Sequence, residues 1–278
     1  MTEVTVLGIS GSPRKNGNTE NMVKEALLAA KSMGDVKTEF ISLAEKKVNP
    51  CTGCNRCYGF KIGATPEKFC YTHDDDGDEI YRAMLKSDGI IMGTPVYAFD
   101  VSSKLKALLE RGAPFCPYTA SEVSGLFRMK VVGVITVGFM QHGGQEHTAA
   151  AIHRWTLMMF SIPVGAIPFP QDPPPYSSAL GGFSATFCSS DSLGERGYSA
   201  DTTRVNPPIP GVFNERSVRN LGRSVALLSK IIKSGMKEEG ESFPKIPLVK
   251  FPNSYIKEGS YLDKIRKGEK KPPDYQKV

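Results

Sequence analysis

The 278-residue chain has no apolar run near the roughly 18 to 20 residues that a membrane-crossing helix needs, which excludes an α-helical membrane protein. Its opening MTEVTVLGISGS shows no basic segment followed by an apolar stretch and reads instead as a strand, so a cytoplasmic location is expected. Charge is also in short supply: the excess of 35 bases over 29 acids leaves +6, too little to argue for nucleic acid. Histidine numbers only four, and His142, His147 and His153 surround one connection without a Ser, Cys or carboxylate nucleophile motif. No catalytic side chain is assigned. There is no internal repeat, and a hydrophobic content of 40% excludes disorder.

What is present alternates between strand and helix. Val4 to Ile9 is a short β-prone run ending in a Ser/Gly/Pro turn, and Asn18 to Met33 repeats apolar residues at helical spacing. A second strand covers Thr38 to Leu43, a helix Asp76 to Lys86, a third strand GIIMGTPVY, and a helix Ser102 to Arg111. Val131 to Val137 is the most hydrophobic strand, followed by Gly143-Gly144, a helix over His147 to Phe160, and a fifth strand at Val164 to Phe169. Five strands joined by helical crossovers imply a parallel sheet covered on both faces, an α/β doubly wound fold. The main domain is expected over residues 1–235, with a cysteine-rich loop at 48–73 and a Pro/Gly-rich excursion at 171–213 too long for an ordinary connection. Helical spacing returns at Ser217 to Ile232. Residues 236–278 form a C-terminal tail, with seven bases and four acids from Lys257 onward.

The first strand-to-helix turn, Ser10-Gly11-Ser12-Pro13-Arg14-Lys15-Asn16-Gly17-Asn18-Thr19, has neither GxGxxG nor GxxxxGK spacing, which weakens the dinucleotide and P-loop readings. It offers hydroxyls at Ser10, Ser12 and Thr19, an amide at Asn18, the charge of Arg14 and a row of backbone N–H groups at a helix N-terminus, where an anion is favoured. A terminal phosphate monoester uses many such donors at once. A plain capped helix would need Asn18 or Thr19 but gives no reason for SGSPR. Thr94-Pro95-Val96-Tyr97 lies at the carboxyl end of the third strand, where open α/β sheets bind ligands, although Tyr97 also fits as a core aromatic. Gly138, Gly143 and Gly144 follow the fourth strand and would permit close backbone approach.

Four of six cysteines fall in one segment: Cys51, Cys54 and Cys57 as C-x2-C-x2-C, then Cys70 after twelve residues. In a reducing compartment such clustering points to a metal rather than to disulfides. Three thiolates at this spacing suit three corners of a 4Fe-4S cubane; zinc is the alternative, since four thiolates, or three with His73, also suit a tetrahedral ion.

GISGSPRKNGNT resembles the phosphate loop of the flavodoxin-like NAD(P)H-dependent FMN reductase superfamily, and with TPVY and the cysteine run the chain resembles its iron–sulfur flavoprotein branch. The resemblance covers roughly residues 3 to 170. It implies a flavodoxin-like five-stranded sheet of order 2-1-3-4-5, with FMN phosphate on Ser10, Ser12, Arg14, Asn18 and Thr19. The flavin ring would lie beside Thr94, Pro95, Val96, Tyr97, Gly138, Gly143 and Gly144, and a cluster would sit on Cys51, Cys54, Cys57 and Cys70. The family's compact motif places its fourth cysteine sooner after the third, which leaves Cys70 the least secure ligand. The implied function is electron transfer through flavin between a reduced donor, ferredoxin or NAD(P)H, and a small-molecule or protein acceptor, in a homodimer or homotetramer. The alternatives are an NAD(P)H-dependent FMN or quinone reductase without a cluster and a flavodoxin-like carrier.

Overall fold

A computed structural model of the chain describes residues 2–58, 63–117, 119, 121–138, 143–172, 184–187, 212–239 and 269. His142, Cys188, most of the excursion and nearly all of the tail beyond 239 lie outside the described residues. In chain order the elements are β1 (Val4–Ser10), α1 (Asn18–Lys31), β2 (Val36–Ser42), α2 (Gly77–Lys86), β3 (Gly89–Tyr97), β4 (Asp100–Val101), α3 (Ser103–Glu110), β5 (Val131–Gly138), α4 (Gln145–Met158), β6 (Ile162–Val164), β7 (Ser184–Phe187) and α5 (Val212–Glu239). No helix among the described residues is long and apolar enough to cross a membrane.

The sheet runs β2-β1-β3-β5-β6, and all of these neighbours pair in parallel. Renumbered by position, this is the expected order 2-1-3-4-5. The fifth position is shared. β6 pairs with Val131, Val132 and Gly133 at the start of β5, and β7 pairs with Ile135 to Gly138 at its end. The sequence reading placed the fifth strand at Val164 to Phe169, but β6 stops at Val164 for a local reason. Pro168 and Pro170 have no N–H to give a ladder, and the Ile167 N–H is taken by the Ser224 hydroxyl at 2.9 Å. The chain then anchors at Asp172, whose buried carboxylate accepts from Arg219 and, at 2.6 Å, from Arg223. β7 re-enters within the stretch read as lacking periodicity.

Alternation along the buried strands sends successive side chains to opposite faces. Val4, Val6, Ile91, Val131 and Ile135 pack under α1 and α5 with Met22, Val23, Leu221 and Val225. Leu7, Ile9, Ile90, Met92, Val132 and Val134 pack under α2, α3 and α4. There an aromatic chain runs from Tyr81 to Phe115, Phe127 and Trp155, with successive ring centroids 4.7, 5.1 and 5.8 Å apart. Just before β5, Lys130 is half-buried and donates to the Leu85 carbonyl at 2.7 Å and to the Ser87 carbonyl, and desolvation pushes its ammonium down to about 8.

Candidate functional site

The carboxyl ends of β1, β3 and β5, adjacent in the sheet, gather the loops that the sequence reading singled out. This is the switch point where the chain turns from one side of β1 to the other. Ser10 ends β1 level with Gly93 of β3. The Gly11 N–H donates to the Gly93 carbonyl at 2.7 Å, and the Ser102 hydroxyl donates to the Gly11 carbonyl at 2.6 Å, tying the loop to β3 and α3. A Cβ at Gly11 would lie 2.7 Å from that of Leu105, so only glycine lets the loop approach α3 this closely.

Ser10, Ser12, Asn18 and Thr19 are buried, whereas Arg14 is exposed at the rim. The Ser12 hydroxyl accepts the Arg14 N–H at 3.0 Å, curling the loop back on itself. α1 starts after Gly17, and no side chain caps its first turn. Asn18 and Thr19 are thus inside the helix and leave its leading N–H groups facing the loop. A buried, uncapped helix N-terminus ringed by hydroxyls is a fit for an anion. Glu20 is also buried, but its carboxylate accepts the Asn16 N–H at 2.8 Å and the Ser42 hydroxyl, bracing the loop against β2. Sequence reading missed Glu20 and Ser102, although a glutamate at the third helical position is a familiar brace of helix starts.

The Thr94 hydroxyl donates to the Pro95 carbonyl at 2.9 Å and accepts the Ser102 N–H at 3.1 Å, so this side chain shapes the turn from within. Pro95 is buried, Val96 is half-buried and Tyr97 is 40% exposed, so Tyr97 is not a core aromatic. β3 continues into a tight hairpin with β4, with Ala98 and Phe99 both at positive φ, 48° and 64°. Gly144, at φ 100°, lies directly against Phe99 and opens α4, bringing the glycines after β5 to the same edge. Gly138 ends β5 under the Gln145 side chain, and Gly143 is half-buried. Of the histidines, His147 is exposed on α4, and His153 is held below its ordinary range by burial.

The cysteine segment is pinned at both ends. On entry, Asn49 donates through its N–H and its amide to Asp75 at 2.8 and 3.0 Å, and the Lys104 ammonium caps the Leu43 carbonyl at 2.8 Å. On exit, Asp78 accepts the Phe69 N–H at 2.9 Å and the Cys70 N–H at 3.4 Å. Between them the chain curls through positive φ at Gly53 and Asn55. Cys51, Cys54, Cys57 and Cys70 then line one cavity of about 110 Å³ with Thr72, His73 and Arg111. The structure thus brings the distant Cys70 to the other three.

Burial, and then the neighbouring Cys54, Cys51 and Cys70, push the Cys57 thiol up to about 11. Four thiolates would repel one another here unless a cation joined them. Burial also raises Cys54, but the Thr72 hydroxyl 3.0 Å from its sulfur, with Thr52 and Arg56, outweighs it, and the net shift is downward. Among the described residues, no three His, Cys, Asp or Glu side chains converge as on a single metal ion. A cubane takes each thiolate at its own iron corner, so ligands spread around a cavity fit it. Cys116 lies in a neighbouring cavity of about 390 Å³ with Trp155, sharing Tyr58, Glu110 and Ala113 with the cysteine cavity.

The model for NADPH-dependent FMN reductase matches residues 4–173, which span all three loops and the cysteine segment. The chain belongs to the NADPH-dependent FMN reductase family. Its relatives place it in the iron–sulfur flavoprotein branch of that family, and it is a flavin-dependent oxidoreductase. An iron–sulfur flavoprotein of Methanocaldococcus jannaschii is 38% identical over 229 residues, 82% of this chain and 98% of that protein. One from Methanosarcina thermophila is 36% identical over 160 residues, 58% of this chain and 76% of that protein. The fold is shared with a flavone reductase, at a TM-score of 0.54 and 18% identity over 82% of this chain and 64% of that one. It is shared as well with RosB bearing 8-demethyl-8-formylriboflavin-5'-phosphate, at a TM-score of 0.57 and 12% identity over 92% and 88% of the two chains. In this family member, Arg111 and Thr72 complete the cysteine cavity, and Asp78 braces the bend that carries Cys70. Sequence reading passed over them because Asp78 reads as ordinary helix-start acidity and Arg111 as an ordinary helix end.

Proposed function

We propose that the protein binds FMN at the Ser10–Thr19 loop, holds a 4Fe-4S cluster on Cys51, Cys54, Cys57 and Cys70, and passes electrons between a reduced donor and an acceptor. The donor would be ferredoxin or NAD(P)H and the acceptor a small molecule or a protein. The observation that carries this reading is the cavity lined by all four cysteines, Cys70 included. When bound, FMN exchanges two electrons at once or one at a time and the cluster exchanges one, so together they couple hydride donors to one-electron carriers.

The chain's own residues hold and orient. Ser10, Ser12, Asn18, Thr19 and the uncapped start of α1 would receive the phosphate, with Arg14 adding charge from the rim. Pro95, Val96, Tyr97 and the glycines Gly138, Gly143 and Gly144 would border the flavin ring, while Thr94 keeps that turn in shape. We also infer a homodimer or homotetramer. Support comes from Leu157, Met158 and Phe160, exposed together at the end of α4 at 57, 45 and 38%, which a second copy could cover.

Visible absorption of anaerobically purified protein tests the cofactor reading. Flavin bands on a broad shoulder that bleaches on reduction support it, whereas flavin bands alone assign the chain to the cluster-free reductases. Steady-state oxidation of NAD(P)H with and without added ferredoxin then separates an enzyme from a carrier. Sedimentation of the loaded protein as a monomer would refute the oligomer.

A further inference from the structure

Two side chains on the cysteine cavity carry a buried nitrogen with no hydrogen-bond partner among the described residues: His73 at Nε2 and Arg111 at Nε. Leaving such atoms unsatisfied forfeits their solvation for nothing, so native structures rarely do it without a ligand. The rest of Arg111 is fully engaged. One terminal nitrogen donates to Asp75 at 2.5 Å, and the other stands 3.5 Å from Asp78, fixing the guanidinium plane. α2 begins on glycine to make room, since a Cβ at Gly77 would lie 2.5 Å from the guanidinium. Room has been made for a side chain whose remaining N–H finds no acceptor among the described residues. Thr72, which also lines the cavity, already contacts the Cys54 sulfur at 3.0 Å.

We propose that His73 through Nε2–H and Arg111 through Nε–H donate hydrogen bonds to sulfur atoms of the cluster held by the four cysteines and so raise its reduction potential. The proposal rests on the cluster reading above. A four-iron cluster on four thiolates is anionic, its sulfurs accept hydrogen bonds, and one-electron reduction adds a further negative charge. Donors at the sulfurs therefore stabilise the reduced form more than the oxidised one. His73 donates whenever Nε2 bears a proton, in the neutral ring or the imidazolium, so no change of protonation is required.

The test uses the cofactor-loaded protein, purified anaerobically, with iron counted per chain and the cluster titrated by dithionite under electron paramagnetic resonance. Absence of iron from the wild type overturns the cluster reading itself and is seen before any variant is made. With iron present, His73→Phe, which keeps the ring shape and removes the donor, should hold its iron, show a lower midpoint potential and lose one exchangeable-proton coupling in heavy water. His73→Gln restores an N–H near the same place and should recover both readouts. An unchanged potential and unchanged couplings in iron-replete His73→Phe overturn the proposal. If His73→Phe sheds iron, the Gln variant decides: retained iron supports a donor, and loss in both variants overturns it. Arg111→Lys keeps the charge and removes Nε–H, and a potential equal to wild type with iron retained refutes the Arg111 half.

Discussion

Replacing Asp78 with alanine tests how the fold delivers its most distant cysteine. The Asp78 carboxylate is buried and accepts two N–H groups at the bend carrying Cys70: Phe69 at 2.9 Å and Cys70 at 3.4 Å. Phe69 is itself 3% exposed, so its N–H has no water to turn to, and losing a charge-assisted bond there costs about 1.5–3 kcal/mol. The longer bond to Cys70 adds less, below about 1 kcal/mol. The 3.5 Å contact with Arg111 adds little, because Asp75 keeps that guanidinium paired at 2.5 Å. The sum is about 2–4 kcal/mol, concentrated where the fourth ligand is held. Urea unfolding of the iron-free protein should show this loss, and iron release to a chelator from the loaded protein should quicken by tenfold or more, which takes about 1.4 kcal/mol of the total lost at the bend that carries Phe69 and Cys70. Asp78→Asn, which keeps an acceptor oxygen, should fall between. Unchanged stability together with unchanged iron release in Asp78→Ala would refute the view that this carboxylate positions Cys70.

Ser12→Ala with Thr19→Ala should weaken FMN binding by about 1 kcal/mol or more per lost bond to phosphate while leaving the apo unfolding midpoint nearly unchanged, as read by flavin fluorescence titration. Riboflavin bound more tightly than FMN would contradict the phosphate loop outright. Lys130 titrates near 8 in the fold, below its ordinary 10.5, so the unfolded chain holds the extra proton between those values. Stability should therefore rise from about pH 8 towards pH 10 and flatten in Lys130→Met; a fall over that window in the parent chain would show the wrong sign. Cys70→Ala should lose stable iron, and a full four-iron cluster in that variant would move the fourth ligand to His73 or Cys116.

The doubly wound fold was legible because β1, β3 and β5 are short, β-rich and nearly continuous apolar runs, each followed by helical spacing and a Gly or Ser turn. The loop proposed for phosphate stood out for a similar reason: its hydroxyls, amide and glycines are contiguous along the chain. The split fifth position was not, since β7 is four residues of ordinary composition inside a Pro/Gly/Ser stretch and becomes a strand only because the end of β5 offers it a ladder. The cysteine cavity was half legible. C-x2-C-x2-C announces itself, but Arg111, Asp75 and Asp78 meet across α2 and α3 through tertiary packing, and their local sequence carries ordinary helix-terminus signals.

The most direct test of the central claim is metal content per chain in protein made under iron-replete, anaerobic conditions. The account predicts about four irons with matching acid-labile sulfide, nearly all lost in Cys54→Ala. One zinc per chain with no iron would contradict it.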